Sequence, residues 1–223
     1  MEYTLHKDFS EIPAAAWNEL AAAGVSDTPF ARHEMLSEWW KTRGGGEWPQ
    51  AELLLVSASE AGRLVGIAPL FKAEHDGRPA LLLVGSIEVS DYLDIIVRPA
   101  DLERFLSGLL DFLARSGACT GVPLDWYNLL DASPTLPALR AEAQRRGCAY
   151  RDEVYRPTPR IPLDGGFDAY LARIEKKQRH EIRRKMRRAA ESALPVDFQV
   201  VQDGSDLQEQ TEAFLQLMSH DAN

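Results

Sequence analysis

Cysteine is nearly absent from this chain. Two residues in 223, Cys119 and Cys148, cannot staple a small scaffold, so the fold must rest on an apolar core. Such scarcity suits a reducing compartment, and the cytoplasm is the expected location. Long apolar runs are missing too: mean hydropathy is −0.28, and no stretch approaches the ~18 apolar residues that cross a bilayer. The opening residues, MEYTLHKDFSEIP, lack the basic flank and apolar centre of a secretory leader, so none is expected. Metal-ligand spacing is equally lacking. His33-Glu34 and His180-Glu181 each begin an H-E-x-x-H pattern, but Ser37 and Arg184 stand where the second His belongs. No metal is expected. Gly44–Gly46 has no Lys-Ser/Thr to make a phosphate loop, and no G-x-S-x-G elbow occurs. With no activated nucleophile in view, a covalent intermediate is not expected.

The composition that remains is ordinary for a globular protein, 45% hydrophobic and 26% charged. A net charge of −9 excludes a protein that coats nucleic acid with its whole surface. The average conceals one segment. Residues 173–188 carry nine Lys/Arg against two Glu, leaving 16 basic and 32 acidic residues elsewhere, a balance of −16. That contrast is the largest departure from uniform composition in the chain.

Periodicity and punctuation give the element order. Tyr3–Lys7 alternates as a strand. Ser10 opens a helix through Trp17, Leu20 and Ala23, and Ala31–Thr42 carries Leu36, Trp39 and Trp40 at helical spacing until Gly44–Gly46. Glu52–Ala58 and Leu64–Ala73 read as strands, and Asp76-Gly77 is a hairpin signal leading into Ala80–Val84. Tyr92–Val97 resumes an extended run, and a helix bearing Leu102, Phe105, Leu106, Leu109 and Leu113 follows Pro99. Leu124–Leu130 reads as a buried strand, and Ser133-Pro134 opens a helix closed by Gly147. Ala149–Tyr155 and Thr158–Leu163 read as strands, Phe167–Ser192 as one long helix, Val196–Val201 as a strand, and Asp206 onward as a helix. This is an α/β class: a mixed, mostly antiparallel sheet with helices on both faces. The expected division is residues 1–165 as one domain, 166–195 as a basic connecting helix, and 196–223 as the truncated start of a second domain, too short to bury a core of its own.

Four motifs in order carry a family resemblance: Pro29-Phe30 before Trp39-Trp40, Gly66-x-x-Pro69-Leu70, Ser90-Asp91-Tyr92-x-Asp94, and Lys177-x-Arg179-x-x-Ile182-Arg183-Arg184-Lys185. The chain resembles the GNAT-type acyltransferases associated with exopolysaccharide and cellulose biosynthesis, which are related to the Fem-type peptidyltransferases. The resemblance implies tandem GNAT-like domains, an acyl-CoA donor such as acetyl-CoA, and an amine or hydroxyl acceptor related to sugars or the cell envelope. It also implies a degenerate first domain. A coenzyme-binding GNAT domain holds pyrophosphate on a Gly-rich turn between its fourth strand and the next helix. Here that junction is Ile96-Val97-Arg98-Pro99-Ala100-Asp101, with no glycine and one residue lacking an N–H. The donor site is therefore expected mainly in the second domain, and this chain alone is expected to be inactive.

The candidate substrate-binding residues fall in two groups. Asp91, Tyr92 and Asp94 interrupt a strand, where Ser and Asp either close turns on their own backbone or offer a carboxylate to an amine or hydroxyl. Lys177, Arg179, Arg183 and Arg184 belong to the basic segment. There Leu171, Ile174, Gln178, Ile182, Met186, Ala189 and Ala193 form a narrow stripe at i/i+4 spacing, so one face lies on something and the rest is charged. That surface is either a solvated face or a cradle for a phosphate-bearing ligand, with Arg supplying bidentate geometry. A tRNA acceptor arm shares those electrostatics, although no aromatic interleaves the cluster for base stacking. The class-level alternative to an acyltransferase is a non-catalytic module that binds an anionic partner through this helix. No catalytic residue is identifiable. Trp39, Trp40 and Trp126-Tyr127 either line a groove or belong to the core.

Overall fold

The computed structural model describes residues 1–117, 121–193, 198–201 and 204–220. Cys119 and part of the Val196–Val201 expectation lie outside these residues. The chain separates into two units, Met1–Pro157 and Thr158–Asn223.

The first unit is built on a five-stranded antiparallel sheet. Its strands are β1 (Glu2–His6), β2 (Glu52–Glu60), β3 (Arg63–His75), β4 (Arg78–Leu83) and β5 (Ile96–Val97). They run in the order β1-β2-β3-β4, with β5 also paired to β3. Both hairpins are tight. Ala61-Gly62 joins Glu60 to Arg63 and Asp76-Gly77 joins His75 to Arg78, and all four turn residues have positive φ, as a type I′ turn requires.

Side-chain alternation divides the interior. Leu55, Ile67, Phe71, Ala80, Leu82, Val84 and Ile96 face one core, and Leu54, Val56, Ala68, Leu70, Leu81, Leu83, Ile95 and Val97 face the other. Helices α1 (Ala14–Ala22) and α2 (His33–Thr42) cover the first face through Trp17, Leu20, Leu36, Trp39 and Trp40. Helix α3 (Leu102–Arg115) covers the second through Phe105, Leu106, Leu109 and Leu113, joined by α4 (Thr135–Arg146). The α/β class with helices on both faces is as the sequence indicates. Trp39 and Trp40 are core residues, tilted against Phe71.

One edge of β3 is shared. Strand β5 pairs with Gly66 and Ile67, while β4 pairs with Leu70–His75. Between them the chain makes an excursion over residues 84–95. Pro69 sits at the gap: its carbonyl accepts from the Val84 N–H at 2.7 Å, and it has no N–H to leave unpaired where β4 departs. Gly66 serves a different purpose, since a Cβ there would lie 2.3 Å from a ring carbon of Phe105.

Three expected strands are absent among the described residues. Leu124–Leu130 is not a strand among the described residues; only a parallel bridge between Leu124 and Leu81 forms. Pro123 contributes a carbonyl to Leu81 but has no N–H of its own, and Asn128 turns the chain at φ 61°. The apolar run reflects packing of Leu124, Trp126 and Leu129 on the second core, not a ladder. Residues 149–155 and 158–163 are likewise without regular structure. Val154, Ile161 and Leu163 are 83%, 61% and 73% exposed, and Pro157, Pro159 and Pro162 remove donors that a ladder needs.

The second unit contains α5 (Gly166–Arg173), α6 (Lys176–Ala190) and α7 (Gly204–His220). The single helix expected over Phe167–Ser192 is two. Ile174 and Glu175 are extended (ψ 162° and 145°), and the backbone carbonyl of Glu175 accepts from Arg179 to start α6. A carboxylate just before the first turn suits the positive end of a helix whose body is cationic.

Candidate functional site

The excursion over residues 84–95 is tied down from several sides. The Asn128 amide donates to the carbonyls of Ile87 (2.9 Å) and Ser90 (2.7 Å), and its backbone carbonyl accepts from Leu93 at 2.9 Å. The Trp48 indole N–H donates to the Ser86 carbonyl at 2.7 Å. Within the loop, Asp91 is exposed, and Tyr92 is half-buried at φ 56° with its ring edge-on to Phe30, 6.2 Å between centroids. Two of the sequence motifs thus meet at one contact. Asp94 is buried, and its carboxylate accepts from the Ser133 hydroxyl, the Thr135 hydroxyl (2.7 Å) and the Ile95 N–H (2.8 Å). Burial pushes its carboxyl above the usual range, opposed by these three donors. Asp94 therefore fastens the loop's exit to the first turn of α4. Asp91, Tyr92 and Asp94 do not converge: one is exposed, one packs on Phe30, and one is committed to hydrogen bonds.

The basic residues of α6 divide in the same way. Arg184 forks onto Glu181 at 2.6 and 2.9 Å, which holds the Glu181 carboxyl below its ordinary range. Arg179 reaches the Ala172 carbonyl at 3.4 Å. Lys177 and Arg183 are exposed and make no hydrogen bond or ion pair with any described residue. No residue of α6 is buried, and Met186 of the apolar stripe is 52% exposed.

The β5–α3 junction does not fit a coenzyme A pyrophosphate. Residues Pro99–Asp101 form a tight turn in which the Asp101 and Leu102 N–H groups donate to the carbonyls of Arg98 and Pro99. Those donors are spent, Pro99 has none, and the Asp101 carboxylate opposes an anion.

Two further polar constellations escaped sequence reasoning. His75, at the end of β3, places Nδ1 3.1 Å from Asp125 Oδ2. The imidazole stands edge-on to Tyr127 (5.3 Å, 84°) and tilted against Trp48 (5.8 Å), and Tyr127 in turn meets Tyr155 edge-on at 5.2 Å. Burial, then the charges of Asp125 and Asp76, pushes the Tyr127 phenol upward, so it stays protonated. The group adjoins the anchored loop, since Trp48 and Asn128, next to Tyr127, hold that loop's carbonyls. Fifty residues separate His75 from Asp125, and no local pattern joins them.

The other constellation is Ser57 Oγ, 2.7 Å from His6 Nε2, with His6 Nδ1 3.2 Å from Glu11 Oε2. This has the order of a nucleophile relay, but Ser57 is only 8% exposed. The second Glu11 oxygen accepts from the Lys7 and Asp8 N–H groups, closing a capping box. The relay ties β1 to β2 and to the turn that follows.

No family model matches the chain, and no curated protein matches it. Among solved structures, the aminoglycoside 6′-N-acetyltransferase AAC(6′)-Ig of Acinetobacter haemolyticus aligns at 15% identity over 73% of this chain and 100% of its own, with a TM-score of 0.39. An acetyltransferase of Trypanosoma brucei aligns at 17% identity over 71% of this chain and 99% of its own, also at 0.39. Likeness at that level decides no chemistry.

Proposed function

We propose that this chain supplies the acceptor side of a GNAT-like acyltransferase, one that passes an acyl group from acyl-CoA to an amine or hydroxyl of a sugar- or envelope-related acceptor. The observation that carries the reading is the divided edge of β3. A polar excursion containing Asp91 and Tyr92 leaves the sheet after Val84, opposite Pro69, and its stretch 86–90 is held by Trp48, which packs on His75, and by Asn128, the neighbour of Tyr127. Such an arrangement offers hydrogen-bond acceptors, a carboxylate and aromatic walls, which are the needs of a small polar acceptor. The closed Arg98–Leu102 turn supports a donor site elsewhere, as the resemblance implies for a second domain beginning near residue 196. The acceptor-side residues bind and orient.

A second reading is favoured by α6. Its cations without a hydrogen bond or ion pair to a described residue, Lys177 and Arg183 among them, suit a non-catalytic module that binds a polyanion. Calorimetry on the chain separates the two. The acceptor reading expects binding from a panel of amine- and hydroxyl-bearing sugars, weakened by Asp91→Asn or Tyr92→Phe, with no measurable acetyl-CoA binding. Micromolar acetyl-CoA affinity would move the donor site into this chain and overturn the acceptor-side assignment. Binding of heparin alone would select the module. In that case Arg183→Gln should weaken heparin and flatten its salt dependence more than Arg184→Gln, because Glu181 already offsets Arg184.

A further inference from the structure

We propose that α6 is a docking helix for an anionic lipid surface, lying in the plane of the headgroups with its apolar stripe toward the acyl chains. The proposal goes beyond both readings above and depends on neither. Between Lys176 and Ala190 the helix carries eight Lys/Arg and a single Glu along an axis of about 22 Å. None of its residues is buried, and Met186 is 52% exposed. At about 100° per residue, Met186 and Ala189 lie within about 40° of Ile182, so the three make one line. Arg179 and Arg183 stand about 60° and about 100° to one side of Ile182, and Lys185 and Arg188 about 60° and about 120° to the other. A stripe with cations along both flanks fits a headgroup layer. The apolar side chains enter it, and the long flanking stems reach back to phosphate.

Charge decides the occupant. The lone acid of the helix, Glu181, is already answered by Arg184 at 2.6 Å and Lys185 at 4.0 Å. Lys176, Arg183 and Arg187 make no hydrogen bond or ion pair with a described residue, so their charge is open to an outside partner. The rest of the chain has a balance of −16, which makes α6 the segment that an anionic surface attracts. A nucleic acid would answer the cations but leave the stripe wet, and α6 has no aromatic side chain on which a base could stack. The stripe also lacks the aromatic or leucine anchors that fill a groove on a protein partner. Attraction is therefore carried chiefly by charge, as for polybasic helices at an anionic leaflet, with Ile182 and Met186 adding a shallow apolar contact.

Co-sedimentation of the full chain with vesicles is the test, phosphatidylcholine alone against phosphatidylcholine mixed with phosphatidylglycerol. The mixed vesicles should bind about tenfold or more tightly than the neutral ones, with the difference shrinking as salt rises. Arg183→Gln should lower that affinity about fivefold, the share of one cation at such a surface. Lys41→Gln in α2, at a side chain 66% exposed, should leave it unchanged. Met186→Gln keeps helix propensity and removes apolar surface from an exposed position, so the fold is preserved. It should weaken vesicle binding about threefold and leave heparin binding at the parent level, which separates a lipid surface from a soluble polyanion. Equal binding to the two kinds of vesicle, or capture of heparin or tRNA without vesicles, would overturn the proposal. So would vesicle affinity that Arg183→Gln and Met186→Gln leave untouched. Failure of the acceptor reading in its sugar calorimetry leaves vesicle binding unaffected, so the two ideas stand or fall separately.

Discussion

Replacing Gly66 by alanine tests the packing that positions the divided sheet edge. Gly66 lies in β3 between Ala58 of β2 and Val97 of β5, so the backbone is held on both sides. An added Cβ would meet three ring carbons of Phe105 at 2.3, 2.5 and 2.7 Å. Ordinary carbon contacts are about 3.5–4.0 Å, so roughly 1 Å or more must be yielded by the ring or the strand. Phe105 is fully buried and stacked on Tyr3 at 6.0 Å, which leaves the ring little room. Overpacking of this kind costs about 1–3 kcal/mol, and the lower backbone entropy of alanine returns about 0.5–1. The net loss expected is about 1–2 kcal/mol, a fall of roughly 2–8 °C in Tm for a domain of this size. Urea unfolding followed by tryptophan fluorescence measures it, because Trp17, Trp39 and Trp48 are buried against this sheet. Phe105→Leu in the same background should recover part of the loss, giving a coupling of about 1 kcal/mol in a double-mutant cycle. Unchanged stability in Gly66→Ala, or strict additivity of the two substitutions, would refute the close approach.

Asp94→Asn addresses the buried carboxylate. Its folded pKa is raised by burial, so the folded state binds the proton more tightly than the unfolded state, and the parent loses stability as pH rises through the ordinary aspartate range toward the raised value. The stability of the parent relative to Asp94→Asn should therefore decline over that window and be level below it; a rise with pH would contradict the burial argument. Tyr3 donates to the Phe105 carbonyl at 2.8 Å, and burial pushes its phenol up to about 12. Ultraviolet titration should show one tyrosine, lost in Tyr3→Phe, that ionises well above pH 10 and as the fold loosens. The substitution itself should cost about 0.5–1.5 kcal/mol by chemical denaturation, and no cost would mean that the bond adds nothing.

Much of the scaffold was written locally. Alternation in Leu53–Ala58 and Ile67–Phe71 set both faces of the sheet, because a strand sends neighbouring side chains to opposite sides. Asp76-Gly77 specified a two-residue hairpin through positive φ, and Gly147 stopped α4 in the left-handed conformation. Those features depend on a residue and its near neighbours, so the amino-acid order alone determined them. Local reading failed where apolar residues served packing instead of a ladder, as in Leu124–Leu130, and where prolines exposed Thr158–Leu163. It also missed the break at Ile174-Glu175, since helix-forming residues on both sides conceal a two-residue change in ψ. Only the tertiary structure decided the polar sites. It buried Asp94 with Ser133 and Thr135, and brought His75 to Asp125 across 50 residues. Hydrogen bonds act over about 3 Å in space whatever the distance along the chain, and so the same aspartate, unreadable as anchor or ligand in sequence, becomes one or the other only when the sheet has set its neighbours.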